Sequence, residues 1–343
     1  MNQLVEKLKG IPHVYYFNLD NRTDRKEYME NQFNYWGIPF TRVSQNKYLA
    51  RELKKWKHLV KPEIEQEGSD EKKVIPIPFD KNHEQYEEAI SKENTENMLW
   101  NTKKVTIANS ISHIDFLKRW YEETDEELLI IMEDDYDLSL ISQWTFNWEY
   151  LMSKIPYDWD CVQLGFQSFV NIKCFLHPKE PTQNLSGGFG PCLLNRRYVS
   201  KLIDLHYRNG FFRLDGVCAD KHLYQNVSSD LEEKMQRQKT LNVEYIIVEN
   251  GRTYCLPLIP MNNDFGSYED DVYIFYFHHA VCREIYYHWW NELQYSFSLD
   301  DFFSYNKPND WNMTYDVNQV AKKLGIENLA AHQLQDLKRN FKN

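Results

Sequence analysis

Residues 128–139 read LLIIMEDDYDLS, four bulky apolar residues and a methionine running into four carboxylates within five positions. A short apolar run closed by polar turn residues predicts a buried strand. Buried strands of parallel sheets deliver whatever follows them to the carboxyl edge of the sheet, where ligands bind. If the chain stays extended past Met132, the period of two places Glu133, Asp135 and Asp137 on one side and Asp134 on the other. Converging carboxylates repel, and one keeps its proton unless a divalent cation supplies the missing charge. A few hard oxygen ligands with open positions beside them suit Mn²⁺ or Mg²⁺ held jointly with a phosphate. The competing reading is a solvated acidic turn; the apolar run ahead of the acids favours the metal.

The same grammar extends outward. HVYYFNL (13–19) is a second apolar run ending in the turn cluster DNRTD, so a strand enters a functional loop. Asp24 is placed to cap a helix reaching Trp36, with Tyr28, Met29, Phe33 and Trp36 at helical spacing. PFTRVS (39–44) completes a β-α-β opening. From 46 to 103 the pattern dissolves into a charged stretch read as an insertion. Alternation resumes with a helix at 105–121, striped by Ile107, Ile111, Ile114, Leu117 and Tyr121, and with the strand at 127–133. Helix and strand candidates follow at 142–154, 160–166, 190–207, 215–227, 243–248 and 272–278, and YIFYFHHAV (273–281) reads as a late strand. Alternating units predict an α/β fold whose central, mostly parallel sheet is flanked by helices. Residues 1–310 are read as one domain carrying the insertion, and 311–343 as a helical appendage.

Composition limits the function. Forty basic against 51 acidic residues give a formal charge of -11, which disfavours nucleic acid as a partner while leaving nucleotides open. The six cysteines are scattered and no CxxC pair occurs, so buried reduced thiols are expected rather than disulfides or zinc. No stretch of about 18 apolar residues predicts an integral membrane segment, the first residues carry no apolar leader, and the expectation is a cytoplasmic protein.

Several segments, taken in order, resemble glycosyltransferase family 25, which includes lipopolysaccharide and procollagen galactosyltransferases. YFNLDNRTDRKEYMENQF is similar to the family's opening strand and Asn-Leu-Asp-x-Arg-x-Asp-Arg loop. ISHIDFLKRW is similar to its Leu-Ser-His helix, and IIMEDDYDL to its Glu-Asp-Asp strand end. WDCVQLG, SGGFGPCLLNRR and RLDGVCADKHL fall where the family has comparable elements. The resemblance spans about 14–225. It departs at VTIAN, where the family has Gly-Glu-Ile-Gly-Cys, and in the insertion, so sugar specificity is not carried over.

The resemblance implies a GT-A fold, a Rossmann-like sheet that binds a nucleotide sugar with a metal at an acidic motif after a central strand. It also implies a hexose, galactose or glucose, moved from a UDP-sugar to a hydroxyl of a glycan or polypeptide. Within that frame Asp135 is the leading metal ligand with Glu133 in support, while Asp134 is placed to reach ribose or sugar hydroxyls. Asn18 and Asp20 offer hydrogen bonds to base or ribose, and Arg22 and Arg25 planar donors to base or phosphate. The family match adds Ser112 and His113 as donor contacts. Gly187 and Gly188 allow close backbone approach to a ligand or a tight turn. Asp215 stands where the family has an acidic residue and is the expected general base, with Asp220 as alternative; both readings compete with an N-cap. His278 is proposed for the metal by analogy with related sugar transferases that supply a late histidine. The aromatic stretch 286–303 fits a core-facing helix better than a sugar platform. Two other functions stay open: nucleotidyl transfer, and a catalytically inactive nucleotide-sugar or glycan-binding protein.

Overall fold

The computed structural model describes residues 6–48, 98–168, 171–179, 190–208, 211–212, 243–262, 273–305 and 313–325. The chain divides into two compact units. The first comprises Met1–Ser44, Glu126–Asn195 and Gly251–Asn343, and the second Gln45–Asp125 and Arg196–Asn250.

The first unit is built on a seven-stranded, mostly parallel sheet. In chain order its strands are β1 (Val14–Asn18), β2 (Phe40–Ser44), β3 (Leu128–Glu133), β4 (Cys161–Gln163), β6 (His177–Pro178), β7 (Cys192–Asn195) and β10 (Thr253–Cys255). Their spatial order is β2-β1-β3-β7-β4-β10-β6. Strands β1, β2 and β3 run parallel, β7 runs against both β3 and β4, β10 is parallel to β4, and β6 closes the edge antiparallel. Five strands therefore point one way. The ends of β2, β1 and β3 bring Ser44, Asn18 and Glu133 to one edge.

Helix α1 (Thr23–Trp36) returns the chain between β1 and β2 and buries Arg25, Met29, Phe33 and Trp36. Phe33 meets Tyr16 at 5.5 Å and Phe40 at 4.9 Å between ring centroids, which pins the helix to the sheet. Gly37 ends α1 with φ 66°, a left-handed conformation that glycine adopts without a Cβ penalty. The expected cap is corrected: the helix begins at Thr23 after Arg22, and Asp24 lies in its first turn, bonded by the Arg22 guanidinium.

Further along, α3 (Trp148–Lys154) is capped by Asn147, whose side chain accepts from the Tyr150 N–H. The run at 273–281 is not a strand. It belongs to α6 (Tyr273–His288), which continues as a π-helical turn through Trp289–Leu293. Val281, Cys282, Ile285, Tyr286 and Trp289 are buried at helical spacing, and this continuing stripe overrides the β-like composition of the first turns. Trp290, Phe146, Phe302 and Phe303 pack as one aromatic cluster, with Phe302 in the short helix α7 (Leu299–Phe302), so these aromatics of the 286–303 stretch are core, whereas Tyr295 is exposed. Residues 192–195, inside the segment 190–207, form β7. The start of the C-terminal segment supplies β11 (Thr314–Asp316), which pairs with β5 (Asn171–Lys173), and then α8 (Val317–Leu324).

Two glycines let backbones touch. A Cβ on Gly190 would lie 1.5 Å from the Gly165 carbonyl oxygen, and one on Gly165 would lie 2.0 Å from that of Ile259. At Gly190 the close approach is to the chain's own backbone.

The second unit contains α2 (Met98–Glu123), α4 (Arg196–His206) and α5 (Val243–Val248), with the two-stranded β8 (Tyr207–Arg208) and β9 (Phe211–Phe212). The Tyr198 hydroxyl donates to the Ile247 carbonyl at 2.6 Å, and Arg196 stacks on Tyr121 at 4.4 Å while donating to its carbonyl. Five described cysteines, Cys161, Cys174, Cys192, Cys255 and Cys282, are buried free thiols. Among the described residues no helix is long and apolar enough to cross a membrane.

Candidate functional site at the carboxyl edge

Strand β3 ends at Glu133, and the chain turns at Asp134 and Asp135 before Tyr136 makes a single bridge to Met261. The expected alternation therefore stops one residue past Met132. Asp134 and Asp135 do not diverge to opposite sides; one guanidinium nitrogen of Arg25 reaches both. Arg25 Nη1 donates to Asp134 Oδ1 at 2.6 Å and to Asp135 Oδ2 at 3.0 Å.

Asp134 is fully engaged. Its second oxygen accepts from Asn18 Nδ2 at 2.7 Å, and the carboxylate is buried. Asn18 is itself fixed, because Arg42 Nε donates to its Oδ1 at 2.7 Å and its Nδ2 also reaches the Arg22 carbonyl. Arg42 continues to Asp20, which also accepts from the Ser44 hydroxyl at 3.0 Å. These bonds hold the Asp20 carboxyl below its ordinary range, Arg42 being the main cause. Thus Asn18, Asp20, Arg22, Arg25 and Asp134 do assemble at one edge. Asp134, expected at substrate hydroxyls, instead ties the first loop to the acidic turn, and Arg25, expected at base or phosphate, pairs with two carboxylates of its own chain.

Asp135 differs. Its Oδ2 meets Arg25, but its Oδ1 is buried and has no hydrogen-bond partner. Burial, with Asp134 adding repulsion and Arg25 opposing both, raises the Asp135 carboxyl above its ordinary range. Arg25 is raised as well: burial alone would lower it, yet Asp135, Asp134 and Glu133 together raise it, so it stays charged.

The turn is clamped by neutral groups. Gln32, two helical turns after Arg25, donates to the Tyr136 carbonyl at 3.0 Å and accepts from the Leu138 N–H at 2.7 Å. On the other flank the Asn262 N–H donates to the Asp135 carbonyl and the Asp137 N–H to that of Pro260. Asp137, which Tyr287 and the Ser139 N–H both reach, closes the turn as a cap. Gln32, Arg42 and Asn262 were missed from sequence. A usable signal existed for Arg25: it falls on the buried stripe of α1 with Met29, Phe33 and Trp36, so it had to meet a buried anion.

The remaining expected residues fall elsewhere. Ser112 and His113 lie on α2 in the second unit, both buried and bonded to the preceding turn: Ser112 Oγ donates to the Ala108 carbonyl at 2.8 Å, and His113 Nδ1 lies 2.9 Å from that of Asn109. Burial lowers His113 to about 4, leaving it neutral at physiological pH. His278 lies on a helix, α6, so the late strand that was to present it does not exist. Asp215, Asp220, Gly187, Gly188 and most of the 46–103 insertion lie outside the described residues. Among the described residues no group of three or more His, Cys, Asp or Glu is arranged to hold a metal. What fits a cation is narrower: the orphaned, buried Oδ1 of Asp135, with Glu133 two residues earlier in the chain, an incomplete ligand set that an oxygen-rich substrate would complete.

No protein-family model matches the chain, and no curated protein matches it.

Proposed function

We propose that this protein is a hexosyltransferase of the GT-A type, similar to glycosyltransferase family 25. In this reading it binds a UDP-sugar at the carboxyl edge of β1, β2 and β3 and transfers galactose or glucose to a hydroxyl on a glycan or polypeptide. The observation that carries the proposal is the buried, unpartnered Oδ1 of Asp135 at the end of a central strand. An anionic oxygen without a donor in low dielectric requires a cation or a proton. The sequence segments resembling the family add a sugar nucleotide as the oxygen-rich partner.

Asp135 and Glu133 would hold Mn²⁺ or Mg²⁺, which when bound neutralises charge on the leaving diphosphate. Asp20 and Arg22 would present hydrogen-bonding groups along the same edge for base, ribose or phosphate, while Asn18, buried and bonded through both amide atoms, fixes the loop that carries them. Asp215 takes the acceptor proton as the acceptor oxygen forms its bond to the anomeric carbon; the bond from that carbon to the diphosphate oxygen breaks, and UDP leaves with inversion. A cytoplasmic site of action belongs to the same proposal.

The test is UDP release from UDP-galactose and UDP-glucose with Mn²⁺ across a panel of glycan and peptide acceptors. Metal-dependent release that disappears in a folded Asp135→Ala variant supports the reading. Release that persists in that variant under chelator overturns the metal assignment, and inorganic diphosphate formed from a nucleoside triphosphate would mark the enzyme as a nucleotidyltransferase.

A further inference from the structure

The cation that the acidic turn already holds is Arg25. It sits on the buried stripe of α1 with its side chain 10% exposed, and its Nη1 bridges Asp134 Oδ1 at 2.6 Å and Asp135 Oδ2 at 3.0 Å. Three contiguous carboxylates, Glu133, Asp134 and Asp135, act on this guanidinium, and Arg22 adds a second, weaker positive charge at Asp135. Asp134 has a second donor in Asn18; Asp135 has Arg25 alone. Asp135 therefore keeps one buried oxygen without a hydrogen-bond partner while the other is shared with a fixed positive charge.

We propose that Arg25 competes with the divalent cation for Asp135, so that the metal binds weakly by itself and tightly only together with a nucleoside diphosphate. This rests on the preceding assignment of a metal to Asp135. Two like charges a few ångströms apart in a partly desolvated site repel strongly. A metal arriving alone meets that repulsion, which offsets much of the pull of the carboxylates. A metal arriving with a diphosphate brings anionic oxygens that offset Arg25 and complete the coordination. Arginine suits such a resident counter-ion because it does not lose its proton in proteins and its planar head reaches two carboxylates at once.

The experiment measures Mn²⁺ binding to the full chain by electron paramagnetic resonance, with and without UDP, for the wild type, Arg25→Met and Arg25→Lys. Circular dichroism checks that each variant is folded. Removing the charge is expected to tighten binding of Mn²⁺ alone by at least about tenfold and to shrink the enhancement by UDP; keeping the charge as lysine leaves affinity within about twofold of the wild type. Equal Mn²⁺ affinities in wild type and Arg25→Met overturn the competition and leave the metal reading standing. Absence of Mn²⁺ binding in every protein, with UDP or without, overturns the metal reading itself. Should Arg25→Met fail to fold, ¹⁵N spectra of the wild type decide: the Arg25 guanidinium resonances shift and their protons exchange faster on saturation with Mg²⁺ and UDP. Unchanged Arg25 resonances under saturation overturn the proposal.

Discussion

The two edges of the central sheet carry the same chemistry in different surroundings. At the carboxyl edge Arg25 pairs with Asp134 and Asp135, with side chains 10%, 9% and 13% exposed. At the amino ends of β4 and β10, Arg252 pairs with Asp158 with side chains 60% and 25% exposed, and Asp160 accepts from the Arg252 N–H. Water screens the second pair, and its carboxylates serve as struts between neighbouring strands. At the first edge desolvation makes each unmatched charge costly; Asp134 is bonded through both oxygens, while Asp135 Oδ1 has no hydrogen-bond partner. Burial, more than the presence of acids and arginines, separates the two edges.

That contrast is open to direct attack. The largest effect is expected from Asp135→Ala, which should lower UDP-sugar turnover by about 10³-fold with melting temperature nearly unchanged, since Asp135 is the least satisfied of the acids. A steady-state assay beside a thermal melt checks it, and a large loss of stability would place Asp135 with the struts. Asp134→Ala should do the reverse. It leaves Asn18 and Arg25 short of a buried acceptor and should cost about 3 kcal/mol of folding stability, read by urea denaturation.

Buried histidine obeys the same rule with opposite charge. His177 is buried, with Nδ1 2.7 Å from the Phe175 carbonyl oxygen, and burial lowers it to about 4. Its folded value lies below the ordinary 6.5, so the unfolded chain binds the extra proton first. The stabilisation is complete above pH 6.5 and is lost as pH falls from 6.5 towards 4, up to about 3 kcal/mol. Denaturation at pH 7 and pH 4.5 should show a smaller difference in His177→Gln than in the wild type. The smallest effect belongs to the amino edge: Asp158→Asn should change stability by less than about 1 kcal/mol and leave turnover untouched. A loss as large as that of Asp134→Ala would erase the distinction between the edges.

Much of the carboxyl edge was legible in advance, because β1 and β3 are short apolar runs that stop at polar clusters and the buried positions of α1 recur at helical spacing. Their parallel register follows from the β-α-β opening. What was not legible is instructive. Extending the period of two past Met132 separated Asp134 from Asp135, whereas the turn there brings both to Arg25. Alternation holds only while a neighbouring strand enforces it, and pairing of β3 ends at Ile131 with β7 and at Glu133 with β1. YIFYFHHAV looked like a strand because aromatic and β-branched residues dominate it, and only the buried positions beyond it, at Ile285 and Trp289, reveal the helix. Residues such as Gln32 and Asn262 were invisible, since their bonds run to backbone atoms of a distant loop and leave no trace in local pattern.

Arg25 and Gln32 stand seven residues apart, which on an α-helix is two turns, one face and a rise of about 10 Å. The helix thus works as a ruler laid along the acidic turn, with a charged mark at Asp134 and Asp135 and a neutral mark at Tyr136 and Leu138. Adding or deleting one residue between the marks would swing one of them about 100° away from the loop. The length of that stretch of α1 is therefore set by the spacing of the groups it must meet, and chains that keep both contacts should vary at the exposed positions of α1 but not in this count.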